Sequence, residues 1–243
     1  MLYLIGLGLW DENDLSLRAV DVMKKCDEIY AEFYTNKWLG NMQKLEELAG
    51  KKIKILKRTD VEDEMLTDKA KNNNIALLVP GDPLVATTHV QLMIDAKQKN
   101  VSTQVIHSSS IYTAVAETGL QLYKFGRTTT LTFIEKSFKP SSPYEVILEN
   151  RKAGLHTLVL LDVKEEGRYM TIKDGIEVLI ETGELLDMNT NIVACCQLGG
   201  NQKIKYGTME KLAGDSDLES TPAVIIIPGR LHFKEEEALG IYQ

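Results

Sequence analysis

Residues 77–89 read LLVPGDPLVATTH. The apolar run Ile75–Val79 has the length and composition of a buried strand, and it stops at Pro80-Gly81-Asp82-Pro83. Two readings of that turn stay open. In one, Asp82 caps a helix over Val85–Lys97, with Pro83 at the first helical position and Gly81 supplying the unusual backbone angles. In the other, the turn lies where open α/β sheets take their ligands, at the carboxyl end of a strand. Asp82 is then an acceptor for ribose hydroxyls or an ammonium, and Val85 is an apolar wall beside it.

Around this stretch, short β-rich runs alternate with amphipathic ones. Strands are expected at Leu2–Leu7, Glu28–Phe33, Lys52–Leu56, Ile75–Val79 and Thr103–Ile106. Helices are expected at Leu15–Lys24, Met42–Leu48, Val61–Asn72 and Val85–Lys97. Such alternation predicts an α/β lobe with a largely parallel sheet. Beyond residue 110 the pattern changes. Helices are expected at Ile111–Glu117, Tyr144–Lys152 and Ile172–Glu181. Strands are expected at Thr129–Ile134, Leu158–Val163, Ile192–Cys196, Lys203–Tyr206 and Ala223–Ile227. The last three are joined by short connections, which predicts antiparallel pairing and a mixed sheet. The expected organisation is an α/β protein of two lobes, residues 1–109 and 110–243. Lys139-Pro140-Ser141-Ser142-Pro143 reads as a surface loop within the second lobe.

The chain has 243 residues, 44% of them hydrophobic and 26% charged, enough for a substantial core. Its net charge of −7, from 28 basic and 35 acidic residues, gives no general attraction for nucleic acid or anionic lipid. No apolar run reaches the roughly 18 residues of a membrane span. The opening MLYLIGLGLWDEND lacks a basic leader and reads as a first strand, not a signal peptide. Cys26, Cys195 and Cys196 show no metal-ligand spacing and read as reduced, structural residues of a cytoplasmic protein. No metal site is expected.

Three strand exits carry possible chemistry. Gly6-Leu7-Gly8-Leu9 resembles a dinucleotide turn, but position 11 is Asp11, and Asp11, Glu12 and Asp14 would repel a pyrophosphate. The glycines then make a tight strand exit and Asp14 caps the next helix, or the backbone approaches a ligand without phosphate. His107-Ser108-Ser109-Ser110 is either a helix cap with spare hydroxyls or a polar lip for a ligand. Both it and the Gly-Asp-Pro turn leave strands of one lobe, so the two are expected to converge. His89 reads as a satisfied helix residue, His156 as a solvated loop residue, and His232 as a residue at a later strand exit.

Several strings together carry a resemblance: YLIGLGLWDENDLSLRA, VPGDPLVATTH, HSSSIYTAVAETGLQLYKFGRTTTL, SPYEVILENRKAGLHTLVLLDV and PGRLHFKEEEAL. They resemble the diphthine synthase family, within the tetrapyrrole-methylase-like S-adenosylmethionine methyltransferases. GLQLYKFGRTTTL and GRLHFKEEEAL are the most specific of them. The resemblance implies two α/β domains of the tetrapyrrole methylase type with the cofactor folded into the cleft between them, usually in a homodimer. It implies S-adenosyl-L-methionine as methyl donor, with S-adenosyl-L-homocysteine as product. Positions matching the family's cofactor contacts are Leu9, Asp82, Val85, Ser110, Ile111, Leu161, Leu198 and His232. At Cys196-Gln197-Leu198-Gly199 the chain departs from the family's Ala-Arg-Ala-Gly-like string, which leaves a backbone contact at Leu198. Thr88-His89 stands where many corrin and porphyrin methylases carry Gly-Arg, and argues against a tetrapyrrole substrate. The implied substrate is the amine of a 3-amino-3-carboxypropyl group on a histidine of translation elongation factor 2. No residue is singled out as a catalytic base. The alternatives are a related methylase of corrinoid precursors and a non-catalytic donor-binding protein.

Overall fold

A computed structural model describes residues 1–134, 141–164, 167–183 and 186–243. The chain divides into two compact units, Met1–Tyr112 and Thr113–Gln243.

The first unit is a five-stranded, wholly parallel sheet in the order β3-β2-β4-β1-β5. Its strands are β1 (Leu2–Gly6), β2 (Glu28–Glu32), β3 (Ile53–Leu56), β4 (Ile75–Val79) and β5 (Thr103–Ile106). Central strands covered on both faces read as continuous apolar runs, as IALLV does, and all five residues of β4 are buried. Period-two alternation divides the core between the faces. Ile5, Ile29, Ala31, Ala76 and Leu78 pack on one, and Leu2, Leu4, Tyr30, Ile75, Leu77 and Val79 on the other.

The second unit holds β6 (Thr129–Leu131), β7 (Thr157–Leu161), β8 (Asn191–Cys196), β9 (Lys203–Thr208) and β10 (Ala223–Ile227). Their order is β6-β7-β10-β8-β9, with β6 and β7 parallel and every other pair antiparallel. This is the expected mixed sheet. Its core gathers Leu131, Val159, Ile176, Leu179, Ala194, Cys196 and Ile225. All three cysteines are buried and free.

Several local expectations fail for identifiable reasons. The helix expected over Val61–Asn72 is two short ones, Arg58–Glu62 and Met65–Lys69, broken where Asp63 turns to extended backbone. The first helix, Leu17–Lys25, is capped by Ser16 and not by Asp14, whose carboxylate accepts instead from Trp10 N–H at 2.7 Å. Ile111–Ala114 tightens into a 3-10 turn, Val115–Thr118, and ends at left-handed Gly119. Of the expected Pro/Ser loop, Lys139 and Pro140 lie outside the described residues. Ser142 and Pro143 open the helix Ser142–Lys152, Pro143 at a position where the missing N–H is harmless.

Candidate functional site

The strand order sets β4, β1 and β5 side by side, so their three carboxyl-end exits are neighbours. The β1 and β4 exits form an antiparallel bridge: Gly81 N–H donates to the Gly8 carbonyl at 2.8 Å and Gly8 N–H to the Gly81 carbonyl at 3.2 Å. Both glycines sit at positive φ, +80° and +71°, where a side chain would be strained. The third exit closes on them at Gly6. A Cβ there would stand 2.6 Å from the Gly81 carbonyl oxygen and 2.7 Å from Ser108 Cβ.

Asp82, 6% exposed, ties the β4 exit to the β5 exit. Its Oδ2 lies 2.7 Å from His107 Nδ1 and accepts from Ser108 N–H at 3.2 Å, while Oδ1 accepts from Leu84 N–H at 3.0 Å. The two turns converge as expected. The helix cap does not form. Leu84 N–H closes a turn two residues after Asp82, a local alternative to helix. The Thr87 hydroxyl takes the Pro83 carbonyl that a helical N–H would use. Ala86 is left-handed at φ +55°, and the helix begins only at Val90. Leu9, Val85 and Ile111 are half-buried and Ser110 is buried, all on these three exits. Residues 6–16, 79–89 and 107–112 contain Asp11, Glu12, Asp14 and Asp82 but no lysine or arginine.

Beneath the β4 exit lies a cluster that the sequence reading missed. Glu32 ends β2 fully buried, accepting from Tyr34 N–H at 3.0 Å, Thr35 N–H at 3.1 Å and the Thr35 hydroxyl at 2.5 Å. Burial pushes its carboxyl above the usual range despite those donors. His89 lies beside it, with Nε2 3.8 Å from Glu32 Oε1, and burial lowers the imidazole's proton affinity. An acid at the carboxyl end of the strand EIYAE, after the apolar Ile29-Tyr30-Ala31, is the one signal that could have drawn attention to it.

In the second unit, Leu161 ends β7 and Leu198 follows β8 by two residues. Both strands are antiparallel to β10, so the two residues share the end of the sheet where β10 begins at Ala223. Gln197, at φ +52°, donates its N–H to the Pro222 carbonyl at 2.8 Å and turns Leu198 inward. His232 lies beyond the opposite end of β10, about 13 Å of strand away by the usual rise per residue. It is exposed, caps the helix Phe233–Leu239, and rests its ring 4.2 Å from that of Phe233. The sheet therefore brings Leu161 and Leu198 together but not His232.

His156 is not a solvated loop residue; it is fully buried. Gly229 N–H donates to its Nδ1 at 2.9 Å, so the ring hydrogen sits on Nε2 and donates to Glu235 at 3.0 Å. Glu235 also accepts from Gln121 N–H, His232 N–H and Lys124. Burial alone would raise this carboxyl, but the four donors outweigh it and hold it at about 2. Burial lowers His156 against the pull of Glu235. The strings GLQLYKFGRTTTL, ENRKAGLH and PGRLHFKEEEAL thus meet at one carboxylate. Among the described residues no group of acids, histidines and cysteines is placed to hold a metal. No described helix is long and apolar enough to cross a membrane.

Residues 1–213 match the family model of tetrapyrrole (corrin/porphyrin) methylases. The chain is 46% identical to a diphthine synthase of Methanocaldococcus jannaschii, over 98% of this chain and 97% of that protein. It is 43% identical to one of Methanococcus aeolicus, over 98% and 96%. A crystal structure of a diphthine synthase superposes with a TM-score of 0.92 at 35% identity, covering 100% of this chain and 96% of the other.

Proposed function

This chain belongs to the tetrapyrrole methylase family, and we propose that it is the methyltransferase that forms diphthine on translation elongation factor 2. The acceptor is the amine of the 3-amino-3-carboxypropyl group on a histidine of that protein, methylated to the trimethyl form. The observation that carries this reading is the 46% identity to a diphthine synthase over nearly the whole of both chains.

The donor we propose is S-adenosyl-L-methionine, and the chemistry of the first unit fits it. A phosphate-free cation suits exits whose own segments carry Asp11, Asp14 and Asp82 and no lysine or arginine, while Glu12 is paired with Lys44 at 3.1 Å. In the glycine bridge, Gly81 has open space where a side chain would project, so its backbone is free to meet whatever lies above it. When bound, the donor supplies an electrophilic methyl group whose thioether leaves without needing a proton. The chain's own contribution is placement and exclusion of water, which can supply several kcal/mol. We assign apolar contact to Leu9, Val85, Ile111 and Leu161, and polar or backbone contact to Ser110 and Leu198. Asp82 accepts three bonds from protein donors and so holds two exits in register, and we assign its remaining acceptor position to a polar group of the methyl donor. His232 is carried from the resemblance, and its own geometry is that of a helix cap. A homodimer and a cytoplasmic location complete the reading, the latter supported by three free, buried cysteines.

The test is direct. Labelled S-adenosyl-L-methionine is supplied with elongation factor 2 bearing the unmethylated intermediate, and separately with precorrins. Label on the histidine, located by mass spectrometry, is the expected result. Label in the precorrin alone would overturn it.

A further inference from the structure

The loop after the Gly-Asp-Pro turn is fastened from below by side chains that the donor reading leaves unused. His89 is 1% exposed, and its Nδ1 lies 3.2 Å from the Pro83 carbonyl. A carbonyl only accepts, so Nδ1 carries the ring hydrogen. The Thr87 hydroxyl donates to the same oxygen at 2.7 Å. On the far side of the ring, Nε2 lies 3.5 Å from the Tyr34 hydroxyl and 3.8 Å from Glu32. Glu32 is itself anchored at the end of β2, the strand next to β4. A continuous chain of contacts thus runs from the sheet into the Pro83 peptide group.

The loop needs such a tether. Residues 83–89 form no helix or strand and include a left-handed alanine, a conformation that persists only where surroundings impose it. We infer that His89 is a positioning residue for methyl-donor binding: its hydrogen bond to Pro83 fixes the backbone through Thr88, and with it Val85, at the carboxyl end of the sheet. The inference rests on the donor reading above and adds to it a residue that touches no donor.

Side-chain amides separate this role from simple packing. Asparagine places its NH2 where Nδ1 stands, two bonds from Cβ, and glutamine places its own near Nε2. Calorimetry with S-adenosyl-L-homocysteine on the full chain would compare wild type with His89→Asn, His89→Gln, His89→Leu and Thr87→Val. We expect His89→Asn to bind within about twofold of wild type, and the Gln and Leu variants about five- to tenfold more weakly, the scale of one lost hydrogen bond. Thr87→Val, which keeps the His89 ring but removes the hydroxyl that donates to Pro83 and accepts from His89 N–H at 3.4 Å, should weaken binding about threefold. The KM for the protein acceptor should hold within about twofold throughout, an effect confined to donor binding. Wild-type affinity in both His89→Gln and Thr87→Val would overturn the inference, as would His89→Asn losing as much as His89→Leu. A wild-type protein that bound no S-adenosyl-L-homocysteine would overturn the donor reading, and this inference with it.

Discussion

Glu235 gathers four hydrogen bonds, two from residues 121–124, one from His156 and one from the cap of its own helix at His232, and it does so without contact with water. Replacing one member of such a buried set leaves the others unpaired. Glu235→Gln is expected to cost about 3 kcal/mol in urea unfolding, the low end for a buried pair, because Lys124 keeps partial access to water. Its partner His156 sets a pH dependence. The native imidazole titrates below its ordinary value, so on acidification the unfolded chain takes up a proton that the native one refuses. The melting temperature should therefore fall as pH drops through about 6.5, the free histidine value. In His156→Gln that slope should flatten. Below the ordinary glutamate range a second loss sets in, as Glu235, held at about 2, is approached. Residue identity alone hid both groups. A histidine and a glutamate 79 positions apart show no spacing that links them, and only the pairing of β7 with β10 brings them together.

At the scale of elements, the strands were legible because burial on both sheet faces writes unbroken apolar runs into the chain. Ile75–Val79 and Ala223–Ile227 end where the pattern places them. Helix starts were legible where a side chain caps them without competition. Thr171 and Asp174 form a reciprocal capping box at the head of Ile172–Thr182. Thr171→Ala should cost about 1 kcal/mol of stability, measured by chemical denaturation. The Gly-Asp-Pro turn misled for the opposite reason. Its aspartate has the identity of a cap, yet His107 and Ser108 lie within reach of the same carboxylate. Their claim on it is tertiary, and no local pattern records it. Of the candidate donor residues of the first unit, Leu9 and Ile111 rest on the family resemblance and Asp82, Val85 and Ser110 also on their turns; all lie at strand exits, and their mutual placement follows from sheet order.

Across the molecule, each unit carries its own core, with Ile5 and Leu4 on opposite faces of one sheet and Ile225 at the centre of the other core. Both tryptophans, Trp10 and Trp38, belong to the first unit. Fluorescence therefore reports on that unit, while far-ultraviolet circular dichroism reports on both. In Glu235→Gln the dichroism midpoint in urea should fall, and the fluorescence midpoint should move less. Equal shifts in the two signals would show that the units unfold as one. The antiparallel half of the second unit was readable from its short connections, whereas the opposite placement of Leu198 and His232 was not. Which end of a strand a residue follows depends on strand direction, and that is decided by pairing partners.

The crowding at Gly6 has a consequence for anyone recombining these proteins. Three excursions of the chain share a space too small for one methyl group, so an exchange of any one must leave position 6 without a side chain. A chimera that imports a foreign segment 80–89 will close the Gly8–Gly81 bridge only if the import keeps a glycine at 81, where φ is +71°.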